Sequence, residues 1–217
     1  MTVAEKLAAI AENEQKVYDA GYAEGAKSGG GGDETFVGIK LSEFNHRKAP
    51  LVADMRTLPV DGNFGGFSYL FCNLSTNGNG GFYASLRDVY LPQGIISIDT
   101  SMFGNCGCLE NIYGDCSKIG AIHMSAFNNC RAFKKLPYMP NLYYLANSAL
   151  SGSGVTEVRF YRQASFQSNA FGGSNVTDIY VPWAEGEVTG APWGAINATI
   201  HYNTTYDENH DPIVTEE

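Results

Sequence analysis

From Leu86 onward the chain repeats an apolar-x-x-apolar-x-apolar pattern. Leu86-Val89-Leu91, Phe133-Leu136-Tyr138, Val155-Val158-Phe160 and Val176-Ile179-Val181 fit it, and Leu109-Ile112 fits with Gly114 in third place. The leading residues of these sets stand 23, 24, 22 and 21 positions apart. A second signature keeps the same period: MFGNC at Met102–Cys106, AFNNC at Ala126–Cys130, then ALSGS and AFGGS. Its large apolar members, Phe103, Phe127, Leu150 and Phe171, lead the next anchor by five or six residues. Two separate features on one period of 21–24 residues predict a solenoid whose coils each contribute a short strand and a turn.

In such a stack the anchors form inward apolar ladders, the Phe positions form another column, and the Cys or Ser three residues later fits a tight inner corner. No coil buries its apolar face alone, so the stack needs protected ends. Alternation along each strand places two columns outside. One reads Asp88, Asn111, Lys135, Glu157, Asp178; the other reads Tyr90, Tyr113, Pro137, Arg159, Tyr180. The aromatic members, with the charged Asp88, Glu157, Asp178 and Arg159, make this strand face the candidate binding surface, for a partner protein or for sugar rings.

The quoted repeats AFNNCRAFKKL and MFGNCGCLENI resemble BspA-like leucine-rich repeats over roughly residues 67–182. The resemblance implies a mainly β leucine-rich-repeat solenoid of about five coils, and a binding rather than a catalytic role. The two ends, MTVAEKLAAIAENEQKVYDAGYAEG and VTDIYVPWAEGEVTGAPWGAINATIHYN, resemble segments of tail-associated structural proteins of phages and prophages. That second resemblance implies a virion component (tail, baseplate or fibre) made in the bacterial cytoplasm. The alternative is a cell-surface adhesion or host-interaction module.

At the N-terminus Val3, Leu7, Ile10 and Val17 follow heptad spacing, with Glu14 interrupting. Thr2 and Glu5 have the spacing of a capping box. These features predict an α-helix over residues 1–28 for oligomerisation, as a homotrimer, or for docking. The glycines of residues 29–33 then act as a flexible joint. Residues 34–66 read as an N-terminal cap, with VADMRTLP as a degenerate coil. Residues 183–217 read as a C-terminal cap in which Trp183 and Trp193 cover the last coil and ATIHY closes as a strand. An acidic, solvated tail follows: Asp207, Glu208, Asp211, Glu216 and Glu217 place five negative charges in the last eleven residues.

Charge and chemistry narrow the function further. A net charge of −9 with no basic stripe argues against nucleic acid. No 18-residue apolar run exists, so no membrane insertion is expected. The first residues lack the basic start and apolar run of a signal peptide. Five cysteines in a reducing cytoplasm are therefore expected as free thiols, and the sequons at Asn73, Asn175, Asn197 and Asn203 as unmodified. The four histidines stand far apart without HExxH or a Cys pair, and GxSxG and P-loop motifs are absent. Neither a metal nor a cofactor is expected. Asp207, Asn209 and Asp211 alternate as in a Ca²⁺ loop, without its Gly and distal Glu. Glu157 and Asp178 fall on adjacent coils, as in a retaining glycosidase, but on an open strand face with nothing to raise either pKa. Catalysis is not expected.

Overall fold

The computed structural model describes residues 2, 5, 6, 8, 9, 12, 52–56, 58, 60, 67–72 and 86–213. The strands are β1 (Val52–Asp54), β2 (Asp88–Tyr90), β3 (Ser97–Ile98), β4 (Asn111–Tyr113), β5 (Ala121–Ile122) and β6 (Tyr144–Leu145). They continue with β7 (Glu157–Arg159), β8 (Ser165–Phe166), β9 (Asp178–Tyr180), β10 (Thr199–His201), β11 (Thr205–Tyr206) and β12 (Pro212–Ile213).

The strands stack as a mainly β solenoid of about five turns. Its first ladder runs β1-β2-β4 and then β7-β9-β10, all parallel, with Val52, Asp88 and Asn111 in one column and Glu157, Asp178 and Thr199 in its continuation. A second parallel ladder, β3-β5-β6-β8, lines another side of each turn. The repeat pattern predicts one strand per coil; the second is only two residues long, too short to impose a period of its own.

The anchors Leu86, Leu109, Phe133, Val155 and Val176 are all buried, and so are Phe103, Phe127, Leu150 and Phe171. Phe71, Phe103 and Phe127 stack face to face at 5.6 and 5.4 Å between centroids. The corner carrying them is stitched coil to coil by backbone bonds. Phe103 N–H donates to Ala126 C=O, Phe127 N–H to Ala149 C=O, and Leu150 N–H to Ala170 C=O. Each corner needs left-handed backbone two residues after its Phe or Leu. Asn105, Asn129, Gly152 and Gly173 supply it, with φ of 63°, 58°, 65° and 68°. Asn and Gly adopt this region most readily, which is why the signature alternates between Asn and Gly there.

Both ends of the stack are built by distinct residues. β1 joins β2 in register, so VADMRTLP does supply a rung. Phe67 N–H donates to the buried Asp99 carboxylate at 2.8 Å, tying residues ahead of the first coil to the second ladder. At the C-terminal end β10 adds a rung beyond β9. Trp193 stacks on Phe166 at 3.9 Å, and Trp183 packs on Phe160 and Phe166, so both indoles are buried.

Residues 5, 6, 8, 9 and 12 are helical, but no helix over residues 1–28 is among the elements of the described residues. Thr2 and Glu5 exchange reciprocal side-chain bonds with each other's backbone N–H, and Lys6 N–H donates to Thr2 C=O. Lys6 is buried, with its ammonium 4.4 Å above the Phe67 ring. Lys6 and Ala9 thus lie against the N-terminal end of the stack. Val3, Leu7, Ile10, Val17 and the glycine joint lie outside the described residues.

Candidate binding face

The first ladder makes the strand face, and its outer residues form pairs along the column. Tyr90 and Tyr113 stack at 4.8 Å, with the Arg56 guanidinium 5.0 Å over Tyr90. Asn111 Nδ2 donates to Asp88 Oδ1 at 2.7 Å. One end later Tyr180 stacks on His201 at 4.3 Å, and His201 Nε2 lies 2.8 Å from Asp178 Oδ1. The central residues, Val89, Val158 and Ile179, are wholly buried. The face therefore brings Asp88, Tyr90 and Tyr113 together at one end, and Glu157, Arg159, Asp178 and Tyr180 at the other.

Between these halves the ladder opens. Phe133 is buried as its pattern predicts, but Tyr138, expected to point inward, is 43% exposed. The cause is Pro137, which falls at the rung position of Tyr113 and Arg159. Without an N–H it cannot donate to the preceding coil. Along the face an isolated bridge, Lys135 to Glu157, and the bond from Thr156 N–H to Lys134 C=O join this coil to the next. The gap is a cleft of about 730 Å³, with Ile112 and Leu136 in its floor and Tyr113 and Tyr138 at its sides. Lys134 and Lys135 stand at its rim.

The far wall of the cleft is formed by the C-terminal segment. β11 and β12 pair as an antiparallel hairpin that folds back over the strand face. His210 stacks on Tyr138 at 3.9 Å, and its carbonyl accepts from Arg159 at 2.7 Å. Arg159 also bonds Asp211 at 2.8 Å and pairs with Glu157. Burial opposes its charge, but the Asp211 and Glu157 hydrogen bonds outweigh it and raise its pKa. Asp207 accepts the N–H groups of Asn209 and Asp211, so the alternating acids organise a hairpin loop. The acidic stretch up to Asp211 is therefore ordered in a hairpin, while its residues 207–211 remain exposed as expected. Arg159, expected as an open contact, is engaged by its own chain.

Asp178 and Glu157, adjacent on the face, are both held by cationic or hydrogen-bonding partners. The hydrogen bond from His201 holds the Asp178 carboxyl below its usual range, and Glu157 is engaged by Arg159. Among the described residues no three His, Cys, Asp or Glu side chains gather where a metal ion would sit. Cys106 and Cys130 form one buried column, their thiols donating to the carbonyls of Phe71 and Phe103. Burial pushes both pKa values up, away from reactive thiolates.

The repeats also match a family model, the BspA type leucine-rich repeat region, in six copies over residues 70–182. The chain belongs to the BspA-type leucine-rich repeat family. Neither the curated proteins nor the solved structures gave a match. Leucine-rich repeats of this kind suggest a protein-binding surface.

The sequence columns placed the outer residues on one strand face but did not show the cleft. The signal for it is present in the sequence: Pro137 occupies a ladder position, and a proline there leaves the neighbouring strand without its partner. The hairpin wall carries no comparable signal, because its contacts link residues some fifty positions apart.

Proposed function

We propose that the chain is a non-enzymatic structural component of a phage particle, in its tail, baseplate or fibre, and that its strand face binds a partner protein. The observation that carries the binding role is the outer face itself: paired aromatic rings at both ends of a rigid ladder and an open cleft between them. Aromatic residues on a pre-formed surface supply contact area at little conformational cost. The particle assignment rests on the likeness of both chain ends to tail-associated proteins. In this reading the first residues supply attachment or a trimeric assembly, and several copies would multiply weak contacts.

The test is to purify particles on a density gradient from an induced culture of the bacterium that carries the gene. Serum raised against the protein should label the particle band. Label confined to the cell envelope would overturn the assignment in favour of a surface adhesion module. Light scattering on the full chain should give three times the monomer mass, and a monomer would remove the trimer.

A further inference from the structure

We propose that the cleft at Pro137 is a strand-addition site that takes an extended, acidic peptide segment of a partner protein, paired to the free edge of β4. This inference rests on the protein-binding reading of the face, not on its place in a particle.

Backbone geometry identifies the occupant. Asn111 N–H donates to Arg87 C=O, and Leu91 N–H donates to Tyr113 C=O, so residues 111 and 113 face β2. Alternation along a strand then turns the Ile112 N–H and C=O, with the Gly114 N–H, toward the next coil. Elsewhere that position is filled: Met55 N–H bonds Tyr90 C=O, Phe160 bonds Tyr180, and Val181 bonds His201. Among the described residues no such bond joins Gly114 to Pro137, and Ile112 makes none across the cleft. Pro137 has no N–H to give to Ile112 C=O. An edge that presents unpaired donors and acceptors beside an apolar floor is the setting in which extended peptides add to sheets. Ile112 and Leu136, half-buried, would take one side of the added strand, and Tyr113 and Tyr138 would flank it.

Charge fixes the chemistry of that strand. At the rim Glu110 is paired with Arg87 and Glu157 with Arg159. Lys134 and Lys135 are exposed and have no ion-pair partner among the described residues. With Asp211 also on Arg159, four cations (Arg87, Lys134, Lys135, Arg159) meet three carboxylates (Glu110, Glu157, Asp211), so the cleft is net positive in a chain whose net charge is −9. The chain already lays an acid-bearing segment across the same face, with Asp211 on Arg159.

The test uses the full chain and the fluorescein-labelled peptide TVEVEVT, with TVKVKVT and TVEPEVT as controls. Fluorescence anisotropy should show saturable binding of the acidic peptide, with both controls weaker by about tenfold or more. Binding should also weaken in the surface variant Lys134→Glu/Lys135→Glu, which removes no packed side chain. Amide exchange at Ile112 and Gly114 should be fast in the free chain and slow in the complex. Absence of saturation, equal binding of the proline peptide, or unchanged exchange at these two amides would each overturn the proposal. So would slow exchange without peptide that becomes fast when Val214–Glu217 are removed, because the occupant would then be the chain's own end. Particles that still retain Lys134→Glu/Lys135→Glu protein would leave the particle assignment standing whatever the peptide does.

Discussion

The Cys130 thiol donates to the carbonyl of Phe103, one coil earlier, at 3.0 Å, and Cys106 makes the same contact with Phe71. In the next coil the column continues as Ser153, whose buried hydroxyl has no partner. A buried hydroxyl without a hydrogen bond costs about 1–3 kcal/mol. Ser153→Cys should therefore raise the stability measured by urea unfolding, by about 1 kcal/mol. Cys130→Ala should lower it by about 1–2 kcal/mol through the lost contact and the small void. A thiol-disulfide reagent should modify exposed Cys108 first and reach Cys106 and Cys130 only on unfolding.

The Phe column is the second determinant of the stack. Phe127 is fully buried, 5.4 Å from Phe103 and 4.8 Å from Phe133 between ring centroids. It sits at the middle of the solenoid, where each turn is held only by its two neighbours. Phe127→Ala should cost about 3–5 kcal/mol in chemical denaturation, more than the same change nearer either end. Equal losses at Phe127 and Phe171 would contradict the nearest-neighbour account.

Close packing sets a third expectation, at Gly154. A Cβ built on this glycine would lie 2.1 Å from the Arg131 carbonyl oxygen, which belongs to the corner of the previous coil. That oxygen is backbone, held in place by the stitching bonds Gly154 N–H to Cys130 C=O and Ala132 N–H to Gly107 C=O. Gly154→Ala should therefore destabilise by about 1–3 kcal/mol, the usual range for overpacking. At Gly107, where a Cβ would meet nothing, the same substitution should be nearly neutral in the same denaturation assay.

These elements differ in how far the sequence announced them. The inward ladder was legible because Val89, Val158 and Ile179 repeat at one period and meet one physical demand, burial. The corner was legible for a similar reason, since Phe103 and Phe127 recur with a left-handed Asn two residues on. The second ladder was not, because pairs such as Ala121–Ile122 are too short to carry alternation. Tyr138 went astray because the apolar pattern weighs side chains, whereas the missing backbone N–H of Pro137 decides where the rung ends. The hairpin contact of Asp211 with Arg159 depends on a turn of the chain that no local pattern encodes.

That contact yields a fourth prediction. Arg159 holds Asp211 and the His210 carbonyl, while the His210 ring lies on Tyr138. Since Asp211 is largely exposed, breaking the pair should change global stability by less than about 1 kcal/mol. The effect should be local. Asp211→Asn should speed amide exchange at Asp207 and Val181 unequally, because Asp207 N–H donates to Asp211 C=O within the hairpin, whereas Val181 N–H donates to His201 C=O in the ladder. A uniform increase would mean that the hairpin and the ladder open together.

The last prediction concerns acid. Asp54 is buried in the third place of the first rung, 2.6 Å from the Arg56 guanidinium. Burial acts to raise its pKa, but hydrogen bonds from the Arg56 side chain and backbone prevail and hold it below the ordinary value. Asp178 is lowered too, first by its bond to His201. A carboxylate with a depressed folded pKa stabilises the protein above its unfolded pKa, and the contribution disappears as pH falls through the folded value. The unfolded value of Asp is about 3.9, so the melting temperature should hold from neutrality to about pH 4 on account of these two groups and decline below it. Asp54→Asn should lower the melting temperature at neutral pH, where the charged pair is intact, and should lose that deficit as the wild type is acidified. A deficit that stays constant from pH 7 to pH 2 would show that Asp54 acts through its shape in the rung and not through its charge.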